Sequence, residues 1–198
     1  MRHMELKEML QLIALQVNVK PHQAEAVIKL LDDGNTVPFI ARYRKEATGS
    51  LDEVQIKAVE DRYHYIQQLE TRKEEVLRLI DEQEKLTEDL ATAITKATVL
   101  QRVEDLYRPY KQKRRTKATI AKERGLEPLA DKIMELTRGD ITQFAQKFIN
   151  VGQDVSTIEE ALSGARDILA ERFADDATVR DKLRQLSWRE GKIEAAIK

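Results

Sequence analysis

The chain has 198 residues, no cysteine, 35% charged residues, 5% aromatics and a net charge of −1. That length supports one domain or two small ones and folds without a metal or disulfide staple, while the missing cysteines exclude disulfide scaffolds, thiolate metal sites and thiol catalysis. Seven glycines, four prolines and few aromatics argue against a β-sandwich or barrel and for an all-α protein with wide solvated faces.

No apolar run approaches the ~18 residues of a membrane span, and Met1-Arg2-His3-Met4-Glu5 lacks the apolar stretch of a signal peptide. A cytoplasmic protein with no membrane partner is expected, with Met4 as its natural start.

Residues 5–16 place Leu6, Met9, Leu10 and Ile13, continued by Val17, on one helix face. Pro21 suits the first turn of a second helix and Gly34 its stop, with Ala24, Val27, Ile28 and Leu31 as the buried stripe. Thr36 can cap a short third helix with Pro38 in its first turn and Phe39, Ile40 and Tyr43 facing inward. These three helices have helix–turn–helix-like spacing, which any small helical bundle shares; if it is one, the third helix presents Arg42, Arg44 and Lys45. Ser50-Leu51-Asp52-Glu53 reads as a capping box that opens a helix over 51–82 free of Gly and Pro. Its apolar positions include Val54, Val59, Tyr63, Ile66, Leu69, Val76, Leu77 and Ile80. A helix of that length spans ~45 Å, so an elongated multi-helix array with one long central helix is expected.

Thr87 opens the next helix, and another carries Val99, Leu100, Val103, Leu106 and Tyr107 until Arg108-Pro109 stops it. After a loop over 109–116, short helices are expected at 117–124, stopped by Gly125, and 126–137, stopped near Gly139. Asp140 can cap 141–149. Ser156-Thr157-Ile158-Glu159 reads as a second capping box for a helix to Phe173, and 176–186 and 188–197 as two further helices. The expected sub-parts are a small bundle over 4–50, the long helix and basic loop over 51–124, and a second bundle over 125–198.

The near-neutral total hides segregation. Residues 108–124 hold eight basic residues (Arg108, Lys111, Lys113, Arg114, Arg115, Lys117, Lys122, Arg124) and one acid, Glu123, a local charge of +7. A smaller cluster is Arg42, Arg44 and Lys45 beside Tyr43, and residues 52–98 lean acidic. Basic loops neutralise phosphates, and neighbouring rings such as Tyr107 and Tyr110 can stack on bases. The same cations can instead pair with the acidic helices inside the fold, and both readings stay open; for Arg42, Arg44 and Lys45, on a short packed helix, the structural reading is preferred. Catalytic chemistry is not in view. His3, His22 and His64 have no partner at metal-ligand spacing, there is no phosphate-binding glycine loop, and the acidic pairs sit on solvated faces or first helical turns. No enzyme and no cofactor are expected.

Two long strings carry a family resemblance. The run Thr36–Glu53 (TVPFIARYRKEATGSLDE) closely resembles the signature of the N-terminal region of the Tex family of bacterial transcription accessory proteins. So do Val103–Lys111 (VEDLYRPYK), its continuation Lys113–Ala121 (KRRTKATIA) and Gly125–Ala130 (GLEPLA). The resemblance spans about 5–190. It implies a helical N-terminal region of a longer protein, whose RNase-H-type YqgF-like domain, helix–hairpin–helix module and OB-type RNA-binding domain are not in this sequence. It also implies action in transcription and nucleic-acid binding without strict sequence preference, chiefly through those further domains. RNA polymerase or other transcription factors are the implied protein partners. No catalytic residue belongs to the matched region. Within the chain, the nucleic-acid candidates are the two basic clusters on which the signature strings fall: Arg108, Lys111, Lys113, Arg114, Arg115 and Lys117, with Arg42, Arg44 and Lys45. The alternative is a protein-interaction scaffold that docks on RNA polymerase or on the protein's other domains, with no nucleic-acid binding of its own.

Overall fold

The computed structural model describes residues 6–135 and 140–195. Within them the backbone forms twelve α-helices, three 3₁₀ turns and no strand; one isolated antiparallel bridge joins Asn150 to Val155. The fold is therefore all-α, as the composition requires. No helix among the described residues is long and apolar enough to cross a membrane. The expectations placed on His3, Met4, Gly139 and Ile197 lie outside the described residues. The chain divides into two units that meet in sequence at Val103 and Glu104.

The first unit holds α1 (Leu6–Val17), α2 (Pro21–Asp32), α3 (Val37–Tyr43), α4 (Lys45–Thr48), α5 (Glu53–Asp81), α6 (Glu88–Thr95) and the start of α7 (Leu100–Tyr107). Helices α1, α2 and α3 pack on the N-terminal half of α5. Leu10, Ile13, Val27, Ile28, Ile40, Ile56, Val59 and Ile66 form the centre of that core. The inter-helix polar ties are made largely by neutral groups. Gln23 donates to the carbonyls of Thr48 and Gly49 (3.1 and 3.2 Å), and Tyr63 donates to Asp32 (3.3 Å). Gly49 stands at φ +65°, where a Cβ would lie 2.7 Å from the Gln23 amide nitrogen, so the turn needs glycine on both counts.

Local chemistry shifts several predicted starts. The box that opens α5 is Asp52–Gln55, not Ser50–Glu53. Asp52 accepts from the Gln55 amide at 2.8 Å, and the Gln55 side chain accepts from the Asp52 amide at 3.1 Å. Gly49 and Ser50 are both left-handed (φ +65° and +63°), so the chain is still turning at Ser50, whereas Asp52 has the extended backbone of a cap. Leu51 before the cap and Ile56 in the first turn share the core, the arrangement of a hydrophobic staple. Thr36 precedes α3, but its side chain makes no cap bond. Val54, expected in the buried stripe, is 77% exposed. It sits two residues before Ile56, which is about 200° around the helix. Thr87 does cap α6, accepting from the Leu90 amide at 3.3 Å. Beyond Leu69, α5 packs on α6, and the buried Lys73 donates to Glu70 (2.8 Å) and the Thr95 carbonyl (3.0 Å).

The second unit runs from the end of α7 through a 3₁₀ turn (Arg108–Tyr110) to α8 (Lys117–Glu123), α9 (Glu127–Met134), α10 (Ile141–Ala145), two more 3₁₀ turns (Gln146–Phe148, Val151–Gln153), α11 (Ile158–Asp175) and α12 (Ala177–Glu190). Helix α11 packs on α8, α9 and α10. Its buried side is Ala161, Ala165, Ile168 and Leu169. A Cβ on Gly164 would come within 2.4 Å of Leu126, so glycine sets how closely the α8–α9 turn approaches. The box opening α11 is Thr157–Glu160, one residue later than expected. Asp140 caps α10, accepting from the Thr142 and Gln143 amides (2.9 and 3.3 Å), but the α-helix ends at Ala145 and tightens into a 3₁₀ turn. The two helices expected over 176–186 and 188–197 are instead the single α12, because Ser187 neither breaks the helix nor caps a new one.

Candidate nucleic-acid interface

The basic segment is positioned by three local devices. The 3₁₀ turn over Arg108–Tyr110 ends α7 at Pro109. Residues 111–116 then run without helix to Thr116, whose hydroxyl caps α8 by accepting from the Thr119 amide at 3.1 Å. The Thr116 hydroxyl also donates to Glu171 on α11 at 3.0 Å, which pins the loop's end to the neighbouring helix.

The eight cations then separate into two groups. Four are paired within the unit. Arg108 Nε donates to Asp175 at 3.1 Å, and Lys113 pairs with the other oxygen of Asp175 and lies 3.5 Å from Glu171. Arg115 pairs with Glu123 at 2.6 Å and Arg124 with Asp154 at 3.7 Å. The other four, Lys111, Arg114, Lys117 and Lys122, are exposed and have no carboxylate partner among the described residues. Lys111 and Lys122 stand on the rim of an open polar cleft of about 560 Å³, over Glu171 and Asp175. Half of the segment's cations are thus used inside the fold and half are left exposed. Tyr107, considered for stacking, is buried, and Tyr110 is half-buried.

The smaller cluster lies on α3 and α4 and is more open than its sequence indicates. Ile40 and Ala41 are buried, but Phe39 is 37% exposed and Tyr43 65% exposed, so the inward orientation expected of both rings is wrong. In a helix of seven residues only one face meets the core. Val37, Ile40 and Ala41 occupy it, which turns Phe39 and Tyr43 outward, one turn apart. Their ring centroids are 5.2 Å apart at 47°, and the Arg44 guanidinium lies 5.2 Å from the Phe39 centroid. Arg42, Arg44 and Lys45 are exposed, with no carboxylate partner among the described residues.

Sequence reasoning missed the centre of the second unit's ionic structure. Asp105 is 1% exposed and receives Arg180 Nε at 2.7 Å and a terminal nitrogen of Arg184. It clasps α7 to α12, while Arg172 clasps α11 to α9 through Asp131 (2.5 Å) and Glu127 (3.0 Å). Those two carboxylates, Asp131 foremost, hold the Arg172 guanidinium above its ordinary value. Helical periodicity does not flag Asp105, which lies about 200° around α7 from Val103; only the arrival of Arg180 and Arg184 shows that this side of α7 is covered too. No group of three or more His, Asp or Glu among the described residues could hold a metal ion.

A helical module with a cationic loop, an aromatic and cationic helix face and no assembled metal site is the class of architecture this structure defines. Comparison with known proteins makes it specific. Residues 7–81 match the model of the Tex-like protein N-terminal domain, and residues 138–198 match that of the Tex central region. The chain is 54% identical over 187 residues to YdcI of Bacillus subtilis, covering 94% of this chain and 26% of that protein. It is 46% identical over 187 residues to the transcriptional accessory protein Tex of Neisseria gonorrhoeae, covering 94% and 24% respectively. At greater distance it is 28% identical over 180 residues to the human S1 RNA-binding domain-containing protein 1, covering 90% and 18%. The chain belongs to the Tex family. It spans about a quarter of the length of the curated bacterial relatives it matches.

Proposed function

We propose that this chain is the helical N-terminal scaffold of a transcription accessory factor, and that its 111–122 segment makes accessory, sequence-independent contacts with nucleic-acid phosphates. The observation that carries the reading is the set of four exposed cations, Lys111, Arg114, Lys117 and Lys122, left without carboxylate partners beside four that are paired. A fold that needed the loop only as internal glue would pair them; unpaired cations on a held loop neutralise phosphates and release counterions. The names of the relatives, a transcriptional accessory protein and an S1 RNA-binding domain-containing protein, agree in direction. In this reading the chain is a binding module, not an enzyme, and works in the cytoplasm. The measurement is fluorescence anisotropy of a labelled duplex at several salt concentrations. With four phosphate contacts, log K falls against log salt with a slope of roughly −3 to −4. The double variant Arg114→Glu, Lys117→Glu abolishes binding. Absence of binding at low salt overturns the reading.

A second reading has its own observation. On α12, Leu183 and Leu186 are exposed and Trp188 is 93% exposed, with no buried residue in the helix. Leu183 and Trp188 line one open groove, and an exposed apolar surface of this kind supports a protein-docking role, with RNA polymerase or a further domain of the full-length protein as the partner. Loss of polymerase binding by Trp188→Ala, with nucleic-acid binding intact, would assign the scaffold role to α12.

A further inference from the structure

We infer that α3 carries a second, separate nucleic-acid site: a base-stacking platform for single strands, made of Phe39 and Tyr43 and flanked by Arg42, Arg44 and Lys45. It does not depend on the loop of the second unit.

Large rings are normally placed in the core, and exposing two of them one turn apart leaves apolar area in water. Here the rings are also ordered. Ile40, at 0% exposure, and Ala41 anchor α3 in the core, so the helix that carries the rings is rigid. Phe39 lies 5.2 Å from both the Tyr43 ring and the Arg44 guanidinium, and Arg44 is itself tethered by donating to the Tyr43 carbonyl at 3.3 Å. Tyr43, 65% exposed against 37% for Phe39, is the ring most available to a further planar group. With Glu46 counted, the patch carries +2. A planar, uncharged partner stacks on Tyr43 while anions spaced along its backbone meet Arg42, Arg44 and Lys45. An unpaired single strand presents that combination: every base has a π-face, and every nucleotide adds one phosphate. A duplex does not, because its base faces are already stacked. An acidic peptide supplies the charge without the stack of planar groups. Stacking and phosphate pairing are both blind to the 2′-hydroxyl, so RNA and DNA single strands bind alike.

The test separates base stacking from phosphate attraction, and therefore this site from the loop. Three labelled dodecamers are titrated by anisotropy at low salt: oligo-dT, an abasic strand with the same phosphates and no bases, and a duplex. The unaltered chain binds oligo-dT about tenfold more tightly than the abasic strand, a modest value for one stacked base. Tyr43→Ala removes that preference, Tyr43→Phe retains it, and duplex affinity stays unchanged in both. Tyr43 is exposed, so both variants keep the fold, as far-UV circular dichroism checks. The loop variant Arg114→Glu, Lys117→Glu abolishes duplex binding but keeps the preference for oligo-dT over the abasic strand. Equal affinity of the unaltered chain for oligo-dT and the abasic strand overturns the inference, and so does a preference that survives Tyr43→Ala. In either case the proposal for the loop still stands or falls by its own salt slope.

Discussion

The two units stabilise themselves by different means. In the first, the core is built from large branched side chains, with Ile13, Val27, Ile40, Ile56, Val59 and Ile66 at its centre. The second core depends on alanine, with Ala118, Ala121, Ala130, Ala145, Ala161 and Ala165 among its buried residues. Ion pairs in the first unit run along α5, as in Lys57 with Glu60 and Asp61, and Arg78 with Glu82. The second unit has local pairs too, but it adds pairs that join one element to another: Asp105 to Arg180 and Arg184, Asp175 to Arg108 and Lys113, Arg172 to Glu127 and Asp131. Small side chains bring helices close but bury little apolar area per residue, so the second unit supplements its core with ionic clasps around the rim. That draws on its cations. In the first unit the cations of α3 and α4 stay open, with no carboxylate partner among the described residues. How freely a basic residue is available to a ligand thus depends on how its own unit is held together.

The largest expected effect tests the clasps. Asp105→Asn leaves two guanidiniums against a neutral amide at a buried position. It lowers unfolding stability by about 3 kcal/mol, near the lower end for a broken buried pair because both arginines reach solvent. Urea denaturation measures it, and a loss under about 0.5 kcal/mol, the size of an ordinary surface change, would remove the contrast between the units. Next in size is a gain of binding. Asp175→Ala releases Arg108 and leaves Lys113 only its 3.5 Å contact with Glu171, so the loop binds duplex more tightly at low salt and the salt slope steepens by about 1. An unchanged slope would show that the paired cations were already available to phosphate. The smallest effect belongs to the first unit. Burial, with the nearby Asp32 carboxylate and its hydrogen bond, raises the Tyr63 hydroxyl above its ordinary value. The folded state therefore holds this proton more tightly than the unfolded chain. The resulting stability is fully present below about pH 10, the unfolded value, and is lost as pH rises through the folded one. Tyr63→Phe reduces the decline in melting temperature above pH 10, and an identical decline in both proteins would contradict the assignment.

Much of the secondary structure was legible before any coordinates. Pro21, Gly34, Thr87, Pro109, Gly125 and Asp140 mark helix ends where the structure has them. The absence of Gly and Pro over 53–81 is enough for a helix of 29 residues. These are local effects, decided within one turn by backbone freedom and orphan amides. Misplaced starts came from neighbours competing for one role: Asp52 over Ser50, and Glu160 over Glu159, each box being set by the extended residue at the cap, Asp52 or Thr157, and the residue three beyond it. The fusion of two expected helices into α12 follows the same rule, since nothing at Ser187 costs enough to stop a helix.

The candidate sites were legible as charge but not as surface. Composition placed +7 over 108–124 and three cations at 42–45, and by itself it settled an all-α chain with two basic clusters. Tertiary structure decided which cations face water. Asp175 and Glu171 lie about sixty residues from Lys113 in the chain and reach it only because α11 packs beside α8. It also turned Phe39 and Tyr43 outward, because α3 has one core-facing side and Val37, Ile40 and Ala41 fill it. Capping and helix propensity act across three or four residues and are written in order along the chain. Ion pairing and ring exposure depend on groups brought within a few ångströms by packing, and only the folded chain brings them together.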